Sequence, residues 1–251
     1  MSGHSKWAQI KRQKAVTDVR KGQLFTKLGR EITVAAREGG ADAEANYRLR
    51  LVIERAREHN MPMDTIERAI KRAAGGGEGA ALEQVMYEGY GPGGAAVLVE
   101  IATDNRNRTA AEVRNVFTRG GGNLGEVGSV SWLFESRGVI AVEPRGRASD
   151  DVVLLAIDAG AQDVQVTDGA VEVYTDPKEL ARVRRGLDEQ GLAVASAEIT
   201  MVAKSTIQLD DRQQEALVRL LERLEELDDV QRVHTNVEFS ADMVAQMGAH
   251  S

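Results

Sequence analysis

Few side chains in this sequence have the types and spacing that catalysis needs. Its four histidines, His4, His59, His234 and His250, stand far apart, and none has a second ligand at a metal-binding spacing. There is no cysteine, which removes zinc–thiolate sites, thiol nucleophiles and disulfides. The acid pairs Asp150–Asp151 and Asp210–Asp211 stand where helices are expected to begin, and capping and dipole complementarity account for them. His234 falls on the outward set of a predicted strand and reads as a solvated surface side chain. The run Gly120–Gly128 has the composition of a phosphate-cradling loop, but no Gly-Lys-Ser/Thr closes it. A helix precedes its glycines, where a dinucleotide fold needs a strand. A loop visiting positive φ at several glycines explains it, and an enzyme holding a phosphorylated small molecule there is the competing reading. Tyr90-Gly91-Pro92-Gly93-Gly94 is likewise a turn cluster. No catalytic residue, metal site, cofactor or small-molecule substrate is assigned.

The positive charge does suggest a function. The first 30 residues hold eight Lys/Arg (Lys6, Lys11, Arg12, Lys14, Arg20, Lys21, Lys27 and Arg30) against one acid, Asp18. The whole chain is net −7, so the remainder is net −14. A basic head on an acidic body points to a polyanionic partner, nucleic acid or a membrane surface. Trp7 lies inside this head and would stack or anchor. The polar loop Asn105-Arg106-Asn107-Arg108 adds Arg106 and Arg108, side chains suited to phosphates and base edges. Solvated surface charge is the plain alternative for both. No apolar face accompanies the Lys/Arg run, which argues against a membrane surface. No apolar run reaches the ~20 residues of a membrane span, and no apolar stretch follows the basic N-terminus as in a secretory signal. The expected location is the cytoplasm.

The elements that must carry these residues follow from periodicity. Gly3–Lys21 has no clean apolar stripe and reads as a polar arm that a partner would order. From Gln23, Leu24, Leu28, Ile32 and Ala35 recur at helical spacing until Gly39–Gly40. A second helix is predicted over Glu44–Glu58, with Leu49, Val52, Ile53 and Ala56 inward. Pro62 ends the break after it, and Asp64 is expected to cap a third helix reaching the glycines at 75–77. Arg68, Lys71 and Arg72 point outward from this last helix, which is too short for a convincing base-reading element. Residues 1–77 thus form a helical domain. Val97, Val99 and Ile101 mark a strand, Ala110 to Phe117 a helix and Ser129–Phe134 a strand. Residues 136–204 read β-α-β-β-α-β, with a hairpin turn at Asp168-Gly169, Ser149 capping one helix and Pro177 opening the other. Thr206–Leu209, a Leu-striped helix from Asp210 with a solvated Glu-rich face over Glu215–Glu226, and Val233–Phe239 supply another β-α-β. The expected fold is α+β in three domains: helical residues 1–77, and two ferredoxin-like α/β domains. One of these is split over 78–135 and 205–240, and the other is inserted at 136–204. A frayed tail follows from Ala241.

Several separate stretches resemble one known family. Gly3-His4-Ser5-Lys6-Trp7, Ile10-Lys11 and Phe25-Thr26-Lys27-Leu28 resemble the opening of the YebC/PmpR family. So do Asn60-Met61-Pro62 with Ile66–Ile70, Tyr87–Gly94, Asn107-Arg108-Thr109 and Gly128-Ser129-Val130. Ser2 and Gln9 depart from the common Ala and Asn, and Met63 from the common Lys. The resemblance implies a three-domain cytoplasmic protein with no catalytic residue. It also implies a DNA-binding transcriptional regulator or, as in a mitochondrial relative, a translation factor acting with the ribosome on difficult nascent sequences such as proline runs. The polyanion is therefore expected to be DNA or ribosomal RNA, with the choice left open.

Overall fold

The structure, a computed structural model, describes residues 18–73, 75, 82–167, 170–240 and 243. Most of the expected arm, the Asp168-Gly169 turn and most of the tail lie outside these residues. The chain forms two compact units. One is residues 135–202, and the other is built from the chain on both sides of it.

The larger unit opens with three helices, α1 (Asp18–Gly39), α2 (Tyr47–Glu58) and α3 (Met63–Ala73). Helix α1 starts five residues before the position the apolar stripe suggested. Leu28, Ile32, Leu49, Val52, Ile53, Ala56, Ile66 and Ala69 share one core, as their spacing required. Helix α2 starts at Tyr47 rather than Glu44 because Asn46 caps it. The Asn46 side chain accepts from Leu49 N–H at 3.0 Å and donates to the Ala35 and Gly40 carbonyls at 2.8 Å. Helix α3 begins at Met63, so Asp64 lies in its first turn and is not its cap.

The same unit holds a four-stranded antiparallel sheet. Its strands are β1 (Glu83–Tyr90), β2 (Ala96–Thr103), the short β3 (Asn123–Leu124) and β8 (Val230–Thr235), in the order β3-β1-β2-β8. Val97, Val99 and Ile101 point to one face. There they meet Val113 and Phe117 of α4 (Arg106–Arg119) and Leu217, Leu220, Leu221 and Leu224 of α7 (Asp211–Glu225). Asp210 closes a capping box with Gln213 at the start of α7. Strand β1 was not foreseen. Ser129–Phe134, expected as a strand, instead forms a 3₁₀ turn over Ser131–Leu133. From Thr206–Leu209 only Ile207 makes a bridge, to Val237.

Residues 135–202 carry most of β4 (Phe134–Glu143), β5 (Asp163–Thr167), β6 (Ala170–Thr175) and β7 (Ala193–Ala203) in the order β5-β6-β4-β7, that of a split βαβ fold. Helices α5 (Ser149–Asp158) and α6 (Leu180–Glu189) bury Val152, Ala156, Leu180, Val183 and Leu187. Ser149 is the first residue of α5, and Ala148, with no side-chain bond, occupies the cap position. Helix α6 begins three residues beyond Pro177.

Candidate nucleic-acid interface

The structure places the expected nucleic-acid-binding residues in three settings. Lys6, Trp7, Lys11, Arg12 and Lys14 lie outside the described residues. Arg20 and Lys21 belong to the first turn of α1, where Lys21 is exposed. Lys27, Arg30 and Arg108 converge on the turn between α7 and β8.

Arg30 and Arg108 meet there on the Asp229 carboxylate, and Lys27 lies one turn away. Lys27 Nζ donates to the Glu225 carbonyl at the C-terminus of α7, where the helix dipole favours a cation. Arg30, two turns in from Lys21 on α1, donates to Asp229 Oδ1, to the Ala102 carbonyl at 3.1 Å and to the Asp228 carbonyl at 3.0 Å. Arg108 Nη2 donates to Asp229 Oδ2 at 2.8 Å and to Asp104 at 3.0 Å. The Thr103 hydroxyl, donating at 3.0 Å, and the Thr109 hydroxyl complete the set of donors around the Asp229 carboxylate. Burial pushes the Asp229 carboxyl up. The bonds from Thr109, Arg108 and Arg30, with the charge of Arg30, outweigh it and hold the group well below the usual carboxylate range.

The loop at Asn105–Arg108 is the start of α4 rather than a free turn. Asn105 caps it by accepting from Arg108 N–H at 3.1 Å. Arg106 is exposed, 3.9 Å from Glu83, and its carbonyl receives the Tyr87 hydroxyl at 3.2 Å. Arg119, at the other end of α4, is exposed, while Arg137 pairs with Glu135 within the smaller unit.

Two further acids hold the sheet face opposite the apolar core. His234 is buried, not solvated as its alternation suggested. Its Nε2 lies 2.8 Å from Glu100 Oε1 on the neighbouring strand. Both faces of this strand are covered, because the helical domain also contacts the sheet. Arg232, beside His234, reaches Glu31 of α1 at 2.9 Å, and Arg55 of α2 binds the other oxygen of Glu31. Burial raises the Glu100 carboxyl, but the His234 hydrogen bond and the charges of His234, Arg232 and Arg48 bring it down to about 2. A carboxyl depressed in the folded state contributes stability above its ordinary value of 4.5 and loses it as the pH falls toward 2. Urea midpoints measured between pH 6 and pH 2.5 should fall across this window. Glu100→Gln should flatten the acid limb by about 2 kcal/mol.

Glu88 explains the glycine run. Its Oε1 accepts from Gly128 N–H at 2.8 Å, and its Oε2 from Val130 and Ser131 N–H at 2.7 Å each. Gly125 N–H donates to the Glu88 carbonyl at 2.7 Å. The backbone donors that a phosphate would need are already turned onto an internal carboxylate. Burial raises the Glu88 carboxyl, but these three donors outweigh it and lower it. Gly128, at φ +90°, supplies the left-handed turn. At Gly89 a Cβ would strike the Phe117 ring and the Asn123 carbonyl, so the loop and sheet meet there without a side chain. Glu88→Ala should cost about 2 kcal/mol in urea denaturation, with Glu88→Gln recovering part of it through its one remaining acceptor.

Sequence reasoning missed Asp229, Glu88 and the Glu100–His234 pair. The only signal for them was acids and a histidine set among β-forming residues. Among the described residues no group of His, Asp and Glu is arranged to hold a metal ion, and no helix is long and apolar enough to cross a membrane.

Residues 5–76 match the family model "TACO1/YebC protein N-terminal domain", and residues 82–237 match "TACO1/YebC second and third domain". A relative from Roseiflexus castenholzii named "Probable transcriptional regulatory protein" is 56% identical over 98% of both chains. A relative of the same name from Chloroflexus aurantiacus is 54% identical over 99% of this chain and all of its own. Among solved structures, that of a conserved hypothetical protein from Aquifex aeolicus superposes with a TM-score of 0.81 at 49% identity, covering 89% of this chain and 92% of its own.

Proposed function

This chain belongs to the TACO1/YebC family, and we propose that it is a non-enzymatic, nucleic-acid-binding regulator of gene expression working in the cytoplasm. The observation that carries the reading is the charge segregation. Eight cations and one acid occupy the first 30 residues of a chain that is otherwise net −14. The proposed contacts are Lys6, Trp7, Lys11, Arg12, Lys14, Arg20 and Lys21, with Arg106 as an outlying cation, while Lys27, Arg30 and the exposed Arg108 also serve internal bonds. The relatives are named probable transcriptional regulatory proteins, and promoter DNA is the target on the first reading.

Ribosomal RNA is the second reading, and one feature of the helical domain favours it. Helix α3 is the helix that the sequence offered as a base reader, with Arg68, Lys71 and Arg72 outward. It is eleven residues long, and its Arg68 is paired with Asp64 at 3.2 Å, which makes it a poor base reader. Crosslinking in cells, followed by sequencing of the attached nucleic acid, tests both. Promoter fragments support a transcriptional regulator and ribosomal RNA fragments a translation factor. Recovery no greater than from a variant lacking residues 1–17 would refute the arm as the binding element.

A further inference from the structure

On the sheet face that carries Glu88, the structure presents two aromatic rings whose polar edges are already satisfied. Tyr90 Oη donates to the Ser129 carbonyl at 2.9 Å, and Trp132 Nε1 donates to the same carbonyl at 3.1 Å. Both rings remain open to solvent, Trp132 at 63% exposure. Exposed Met86 lies on the same face of β1, two residues before Glu88, and Val127 at the tip of the loop is 92% exposed. Large apolar groups grouped at such exposure mark a contact surface. Their positions are set in advance, since the loop bearing Trp132 is tied to Glu88 by three backbone N–H groups. Little side-chain freedom is left to lose on binding.

We infer that Trp132, with Tyr90 beside it, is a stacking platform for an unpaired nucleobase of a single-stranded or looped nucleic acid. The inference rests on the nucleic-acid reading above and specifies the strand it takes. With its donor turned inward, Trp132 offers only a π face, which any base can stack on and which reads no sequence. A base inside a duplex cannot reach that face without leaving its stack. Charge on the flank agrees. The backbone N–H of Lys204 donates to the Leu133 carbonyl at 2.8 Å, so this exposed residue is anchored to the chain next to Trp132. Lys204 makes no ion pair among the described residues, and the carboxylate of Glu88 is buried and occupied by three backbone N–H donors rather than presented to a ligand.

The test uses the full chain carrying Trp7→Phe, which leaves Trp132 as its only tryptophan. Fluorescence and affinity are measured against an oligouridylate of about twelve nucleotides and against a duplex of similar length. The oligouridylate should quench Trp132, and the duplex should bind without quenching. Trp132→Ala should weaken oligouridylate binding about tenfold, leave its salt slope and duplex binding unchanged, and be rescued largely by Trp132→Tyr. Unchanged oligouridylate affinity in Trp132→Ala together with no quenching would overturn the platform. The arm reading would survive that outcome if Lys11, Arg12 and Lys14 still set the salt slope. No binding to either nucleic acid would overturn both.

Discussion

Replacing Lys11, Arg12 and Lys14 together by Ala should lower the dependence of log affinity on log salt by about 2 to 3, and should weaken binding roughly a hundredfold or more at low salt. Each neutralised phosphate releases condensed counterions, so three lost contacts appear as a change in slope as well as in strength. The rest of the chain sharpens the expectation. With the rest of the chain at net −14, its long-range field opposes a polyanion rather than replacing the arm. Filter binding or anisotropy from about 50 to 300 mM salt measures the effect on DNA and RNA side by side. Circular dichroism checks that the fold is intact. An unchanged slope would remove the arm from the interface. The same measurement on Arg108→Ala separates phosphate contact from support of the fold. Its bonds to Asp229 and Asp104 predict a loss of stability with little change in slope.

The largest stability effect is expected at Asp229. Asp229→Ala should cost about 3 to 5 kcal/mol in urea denaturation, because it removes the carboxylate paired with the mostly buried Arg30 guanidinium and takes an acceptor from Arg108, Thr103 and Thr109. Asp229→Asn keeps an acceptor and should cost about half as much. Arg30 comes from α1 and Arg108 from α4, so the carboxylate joins the helical domain to the sheet. A double-mutant cycle between Arg30 and Asp229 should therefore give a coupling of about 1 to 3 kcal/mol. Coupling near zero would mean that the pair adds no adhesion beyond the surrounding carbonyl bonds. Asp229 is also depressed in the folded state, so its contribution is present above the ordinary carboxylate range and is lost on acidification, in the same direction as that of Glu100.

Where periodicity is strong, the elements were legible. The apolar stripes of α1, α2 and α3 became one core, and Val97, Val99 and Ile101 face α4 and α7. The β-α-β-β-α-β element order read for residues 136–204 goes with the sheet order β5-β6-β4-β7, that of a ferredoxin-like fold. Strand β1 escaped because its alternation of Val85 and Tyr87 is interrupted by Glu83, Glu88 and Gly89, residues that read as loop. Glu88 belongs in that strand because three backbone donors from residues 128–131 receive it. The same bonds hold Val130 and Ser131 out of a strand ladder, which is why the segment expected as a strand forms a 3₁₀ turn. His234 was misplaced for a related reason. Alternation marks two faces of a strand but does not reveal that a separate helical domain covers the second one.

By itself the sequence determined the helical head, the fold class, the segregation of charge and the family resemblance. Each of these is written in neighbouring residues or in recurring motifs. Only the tertiary structure decided which cations have internal partners. Arg30 lies 199 residues from Asp229, and Arg108 lies 121 residues from it. Backbone geometry imposes the spacing of an apolar stripe within a few turns, and a reader can count it. An ion pair between distant segments depends on where the packed cores bring their ends, and no local spacing records that.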